Sequence, residues 1–173
     1  MLFAPLGIHI ASGVAKRLVS SNPIPRPPSL LTLTAYPLLI FLPIHVFTHR
    51  IIPSNPSPPI SALSPSELNY EFVKAGIAGW PVRSSLLYGG LVIFGLVHAF
   101  EGWSVILRTW GGGKGLGGRT RRILAGVGIG AVLSGLFSIT KEPLLVLQST
   151  LTQINASYLS SAVYRFNWVR NFD

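Results

Sequence analysis

Four histidines, His9, His45, His49 and His98, are the side chains best suited to chemistry here, and all lie within or at the end of long apolar stretches. An ionisable residue in such surroundings needs a partner, a cavity or a ligand. Three readings fit. The imidazoles hydrogen-bond to backbone or to Ser12, Ser104 or Glu101 inside a tight bundle; they hold a haem iron axially; or they handle protons or ions. The first is the plainest. Glu101 stands one turn beyond His98, where it can orient the ring, neutralise it, or bond to another helix. The chain has no cysteine, so disulfides, thiolate catalysis and cysteine-held metal are excluded. Nothing offers a flavin, nucleotide or iron–sulfur site, so no enzymatic activity is expected.

The elements that carry these residues are membrane-length. Only 11% of the 173 residues are charged and 49% are hydrophobic, with a mean hydropathy of +0.50; soluble domains carry about 25% charged residues. The pattern predicts an all-α transmembrane bundle with four crossings, at about 2–19, 30–52, 81–109 and 123–139. Pro-rich 20–29 and the Gly-rich, basic 110–122 separate them. Pro37 and Pro43 fall inside the second crossing, where each should bend it. The stretch 53–79 is the most water-like. Within it Ser64, Pro65 and Glu67 predict a capped interfacial helix over about 65–77, with Tyr70 and Trp80 at headgroup level. Gly90 and Gly95, and the pair Gly126 and Gly130, offer small-residue surfaces for helix contact. Residues 144–173 read as an amphipathic C-terminal segment, because Gln148, Thr152, Gln153 and Asn155 interrupt a fifth crossing.

Fourteen basic against five acidic residues give a net charge of +9. In this setting the excess means topology and anionic lipid as partners, with no nucleic acid. The two connectors 20–29 and 110–122, with their flanks, hold eight basic residues and no acid; the opposite side holds six basic and four acidic ones. The first side should face the positive-inside compartment.

Depth follows from helical rise. His9 and His98 each lie ten or eleven residues from the same face, about 16 Å in. His45 lies about 22 Å from that face, with His49 and Arg50 beyond it. Thus His9 and His98 form one layer and His45 another. Gly7, Ala11, Ser12 and Gly13 flank His9, and Ala99 and Gly102 flank His98, giving the relief that a flat cofactor requires.

Three blocks, "PLGIHIASGVAKRL", "FLPIHVFTHRIIP" and "LVHAFEGWSVILRTWGG", resemble the transmembrane domain of a fungal mitochondrial outer-membrane adaptor family linked to lipid homeostasis. That family is distantly similar to the haem-binding cytochrome b anchor of succinate dehydrogenase and fumarate reductase. The resemblance implies a non-enzymatic adaptor or scaffold, partnered by a bridge-like lipid-transfer protein. Its alternative implication is a cytochrome b-like anchor with an electron-transfer role and haem b as cofactor. His9 and His98 would then share one haem. His45, with Val46 and Arg50 in the "HVxxxR" shape, would serve a second, whose other ligand belongs on a crossing before the first one here; the chain reads as a family member without that crossing. An adaptor's Pro-x-Pro motif corresponds to Pro23, Pro25 and Pro27, which read more simply as a rigid turn between crossings. Asn155-Ala156-Ser157 fits a glycosylation triplet that mitochondrial placement would leave unused.

Overall fold

The computed structural model describes residues 3–19 and 28–165. Among them every regular element is helical: α1 (Phe3–Val19), α2 (Leu30–Val46), α3 (Tyr70–Gly79), α4 (Pro81–Trp110), α5 (Gly118–Ile139), α6 (Gln148–Ser160) and α7 (Ala162–Arg165). Three helical stretches are long and apolar enough to cross a membrane: Leu30–Ser54, Pro81–Trp110 and Gly118–Ile139. They bury few residues inside the protein, so their apolar side chains face outward, as lipid demands. With 17 residues, α1 extends about 26 Å, a little less than the roughly 30 Å hydrocarbon core.

α2 begins where the proline run ends. Ser29 caps it, its hydroxyl accepting from the Thr32 amide at 3.3 Å. The helix continues through Pro37 and Pro43 and then changes pitch, with a π-turn over Phe47–Ile51 and a 3₁₀ turn over Ile52–Ser54. Pro43 supplies no amide hydrogen, which loosens the α-ladder there. The π-turn carries Thr48 and His49 inward.

α2 packs along α4, and α4 along α5. A Cβ on Gly90 would come 2.5 Å from Phe41 Cζ, so the missing side chain is what lets Phe41 approach and stack on Phe94 at 5.8 Å. The Gly126–Gly130 pair does not serve this purpose. Neither glycine has a neighbour within 4 Å of its would-be Cβ, and Gly128 instead faces Leu96 at 3.2 Å. The rotation of α5 about its own axis decides this. α5 also starts a turn earlier than 123, because arginines propagate a helix well and Gly117 provides the extended entry.

At the end opposite the basic connectors, a small cap covers the bundle. Ile60, Leu63, Phe72, Ala75, Ile154, Tyr158 and Tyr164 form its buried core. The interfacial helix expected over 65–77 runs instead from Tyr70, capped by Asn69, whose Oδ1 accepts from the Glu71 amide. Ser64 and Glu67 do bond, Ser64 amide to Glu67 Oε2 at 2.7 Å, but they close a turn ahead of the helix. Tyr70 is exposed, whereas Trp80 turns inward, 5.5 Å from Tyr158 and 5.4 Å from Tyr164. The C-terminal segment forms α6 and α7, which bury Ile154, Tyr158 and Tyr164 in the cap.

Glu71 and Lys74 are buried on α3 and pair at 2.8 Å. Lys74 Nζ also donates to the Pro143 carbonyl, and the Leu145 amide donates to Glu71 Oε2. The ion pair therefore pins the α5–α6 connection onto α3. The Lys74 hydrogen bond, more than any other factor, holds the Glu71 carboxyl below the ordinary carboxylate range.

Candidate functional site

His9 on α1 and His98 on α4 meet edge to face, with ring centroids 6.1 Å apart and planes at 86°. His98 is oriented from behind by α2. Its Nδ1 stands 3.0 Å from the Leu31 carbonyl and 3.4 Å from Thr34 Oγ1. A carbonyl can only accept, so Nδ1 carries a proton and donates it to Leu31. The Thr34 hydroxyl is within donor distance of the Leu30 and Leu31 carbonyls. His98 thus makes the backbone hydrogen bond that the plainest reading expected, and Leu31 and Thr34 of α2 fix its orientation.

Ser12 and Ser104 do not bond to the imidazoles, and Glu101 takes the interhelical role. Ser12 donates to the backbone carbonyl of His9 in its own helix, and Ser104 to the Leu116 carbonyl. Glu101 pairs with Arg121 of α5 at 2.9 Å. α1 makes no extended backbone contact with another described helix. Its described ties are the His9 ring and Arg17, whose guanidinium meets the Tyr36 hydroxyl and lies over that ring.

His9 and His98 are the residues that could hold a haem iron, which would supply one-electron chemistry. A ligating histidine commonly gives its other N–H to a carbonyl or carboxylate, as His98 does to Leu31. Open space beside Gly7 and Gly13 leaves α1 free of steric obstruction on that stretch.

The second layer is different. His45 stacks on His49 with centroids 4.6 Å apart. His49 in turn touches the rings of Phe72, Tyr88 and Tyr158 at 5.3, 5.4 and 6.1 Å. The cavity beside both histidines has about 10 Å³, the room of one water. His45 therefore packs on its helix neighbour, and the space around it is too small for a porphyrin. Arg50 is exposed at the end of this stretch. No family model, curated protein or solved structure matches the chain.

A hydroxyl network that the sequence did not announce joins the cap to the bundle. Tyr158 donates to the Phe72 carbonyl at 3.0 Å, so Tyr88 donates to Tyr158 at 2.9 Å. Ser84 donates to the Gly76 carbonyl at 2.6 Å, which leaves Tyr164 as donor to Ser84 at 3.2 Å. Thr48 and Ser161 bond at 3.1 Å. Among the described residues no cluster of three or more acidic, histidine or cysteine side chains has a metal-binding arrangement. The segment that carries Pro23, Pro25 and Pro27 lies outside the described residues.

Proposed function

We propose that this chain is an integral membrane adaptor or scaffold, without catalytic activity, acting in lipid homeostasis at the mitochondrial outer membrane. In this reading α1, α2, α4 and α5 make four crossings, with Lys16 and Arg17 reaching to the headgroups so that the short α1 suffices. One observation carries the proposal. The three sequence blocks that resemble the adaptor family converge in space: His9 of the first meets His98 of the third, and Phe41 of the second stacks near Gly90 on the helix that bears the third. A resemblance scattered over unrelated surfaces would lack this convergence.

The test is capture of a bridge-like lipid-transfer protein on the full-length, membrane-embedded chain. Capture should occur and should fall when Pro23 and Pro25 are both changed to Ala. Absence of capture from mitochondrial membranes refutes the adaptor reading.

The His98 geometry favours a second reading, a haem b-binding anchor held by His9 and His98. Haem, when bound, supplies one-electron transfer. The protein's own part is to fix the His98 tautomer through Leu31 and to present His9 from α1. Chain purified from haem-replete cells should show a Soret band that His98→Ala abolishes; a colourless sample removes this reading.

A further inference from the structure

A cavity of about 190 Å³ lies between α2, α4 and α5 on the basic side of the bundle. Its rim is charged, formed by Glu101, Arg121 and Arg122. Its walls are apolar and include Val97, Phe100, Ala125 and Ile129. Arg121 spends one arm of its guanidinium on Glu101. Its Nε is buried and has no hydrogen-bond partner among the described residues. Arg122, at the rim, is exposed.

The charge here is unbalanced. One carboxylate faces two guanidiniums, and Arg119 is a third cation in the first turn of α5. That turn contains no acidic residue, so its own N-terminal dipole adds to the positive field. The N-terminal residue of α2, Leu30, lines the same cavity, and its first turn is likewise without an acid. Arg122, exposed at the rim, offers its guanidinium donors to an anion there.

We infer that this cavity binds an anionic phospholipid, with the phosphate at Arg121 and Arg122 and an acyl chain along the apolar wall. The polarity matches that of a lipid in the bilayer. From Arg122 to Ile129 the wall runs about 10 Å along α5, away from the charged connector and toward the apolar middle of the span. Gly126 is part of the lining, and a Cβ placed there would meet nothing within 4 Å, so the entrance is open on that side. The inference rests on the helices being membrane-embedded and on neither the adaptor nor the haem reading.

The full chain, purified in neutral detergent with equal phosphatidylglycerol and phosphatidylcholine, tests this by mass spectrometry of the lipid retained. Phosphatidylglycerol should be retained about tenfold over phosphatidylcholine. Gly126→Phe, which fills the cavity, should abolish that preference. Gly130→Phe, at an equally open glycine outside the lining, should leave it intact. Arg122→Gln, at an exposed position, should lower it about fivefold, the worth of one basic residue at an anionic surface. Millimolar inorganic phosphate should not displace the lipid; displacement would reassign the site to a free anion. Equal retention of the two lipids, or equal effects of the two glycine substitutions, overturns the proposal. Should Gly126→Phe fail to fold, an unchanged preference in Arg122→Gln overturns it alone.

Discussion

Tyr88 of α4 donates its hydroxyl hydrogen to Tyr158 of α6 across 2.9 Å, and this contact fastens the cap to the membrane-length helices. Tyr158 is fully buried and passes its own hydrogen to the Phe72 carbonyl. Burial pushes the Tyr158 and Tyr164 phenols above their ordinary value near 10. A phenol whose folded pKa is raised stabilises the fold fully below about pH 10 and loses that contribution as pH rises toward the folded value. Thermal unfolding in detergent should therefore shift downward above pH 10. Tyr158→Phe should lower stability by about 1–3 kcal/mol, because the Phe72 carbonyl and the Tyr88 hydroxyl both lose a partner.

Acid should loosen a different contact. Glu71 is held below the ordinary carboxylate range by Lys74, so its contribution is present above about pH 4.5 and is lost as pH falls through the depressed value. Glu71→Gln removes the charge but keeps the shape, leaving Lys74 buried without its closest counter-charge. Its loss of stability should exceed that of a surface substitution, by about 3 kcal/mol at neutral pH. Hydrogen exchange at the Leu145 amide, which Glu71 accepts from, should rise in the variant; an unchanged rate would place the anchor of the α5–α6 connection elsewhere.

Two glycines are fixed by close approach. A methyl on Gly90 would strike the Phe41 ring, and one on Gly76 would strike the Tyr158 hydroxyl. Each Gly→Ala change should cost about 1–3 kcal/mol from overpacking, partly offset by the better helix propensity of Ala, about 1 kcal/mol. Gly126→Ala and Gly130→Ala, with open space around them, should be neutral or stabilising. Thermal midpoints of the four variants in one detergent check this ordering.

His98→Ala should destabilise the chain even without a cofactor, because the Leu31 carbonyl and Thr34 lose a partner. The cost should be about 1 kcal/mol. His9→Ala should cost less, since His9 is exposed on α1. Equal losses for the two would mean that α1 is held mainly by the imidazole pair.

Asn155 sits in α6, partly buried beside the cap core. An outer-membrane adaptor should run at unchanged electrophoretic mobility after glycosidase treatment. A shift would place the chain in the secretory pathway and remove the mitochondrial proposal.

The sequence by itself determined the all-α character, the membrane-length stretches and the position of each histidine along its stretch. Those depend on hydropathy and on a rise of about 1.5 Å per residue, both local properties. It also placed the junctions at Ser29, where prolines give way to a capped helix, and at Pro81, the first residue of α4. Only the tertiary structure decided who meets whom. Glu101 bonds to another helix, as its position allowed, but that the partner is Arg121 of α5, and that His98 donates to the α2 backbone, was settled by packing. The Gly126–Gly130 face is left open while Gly128 receives Leu96. A helix fixes which of its residues share a face, but its rotation against a neighbour is set by side-chain fit, as where Phe41 enters the space left by Gly90. The cap was the least legible part, because Phe72, Ile154, Tyr158 and Tyr164 come from segments far apart in the chain and acquire a common interior only when folded.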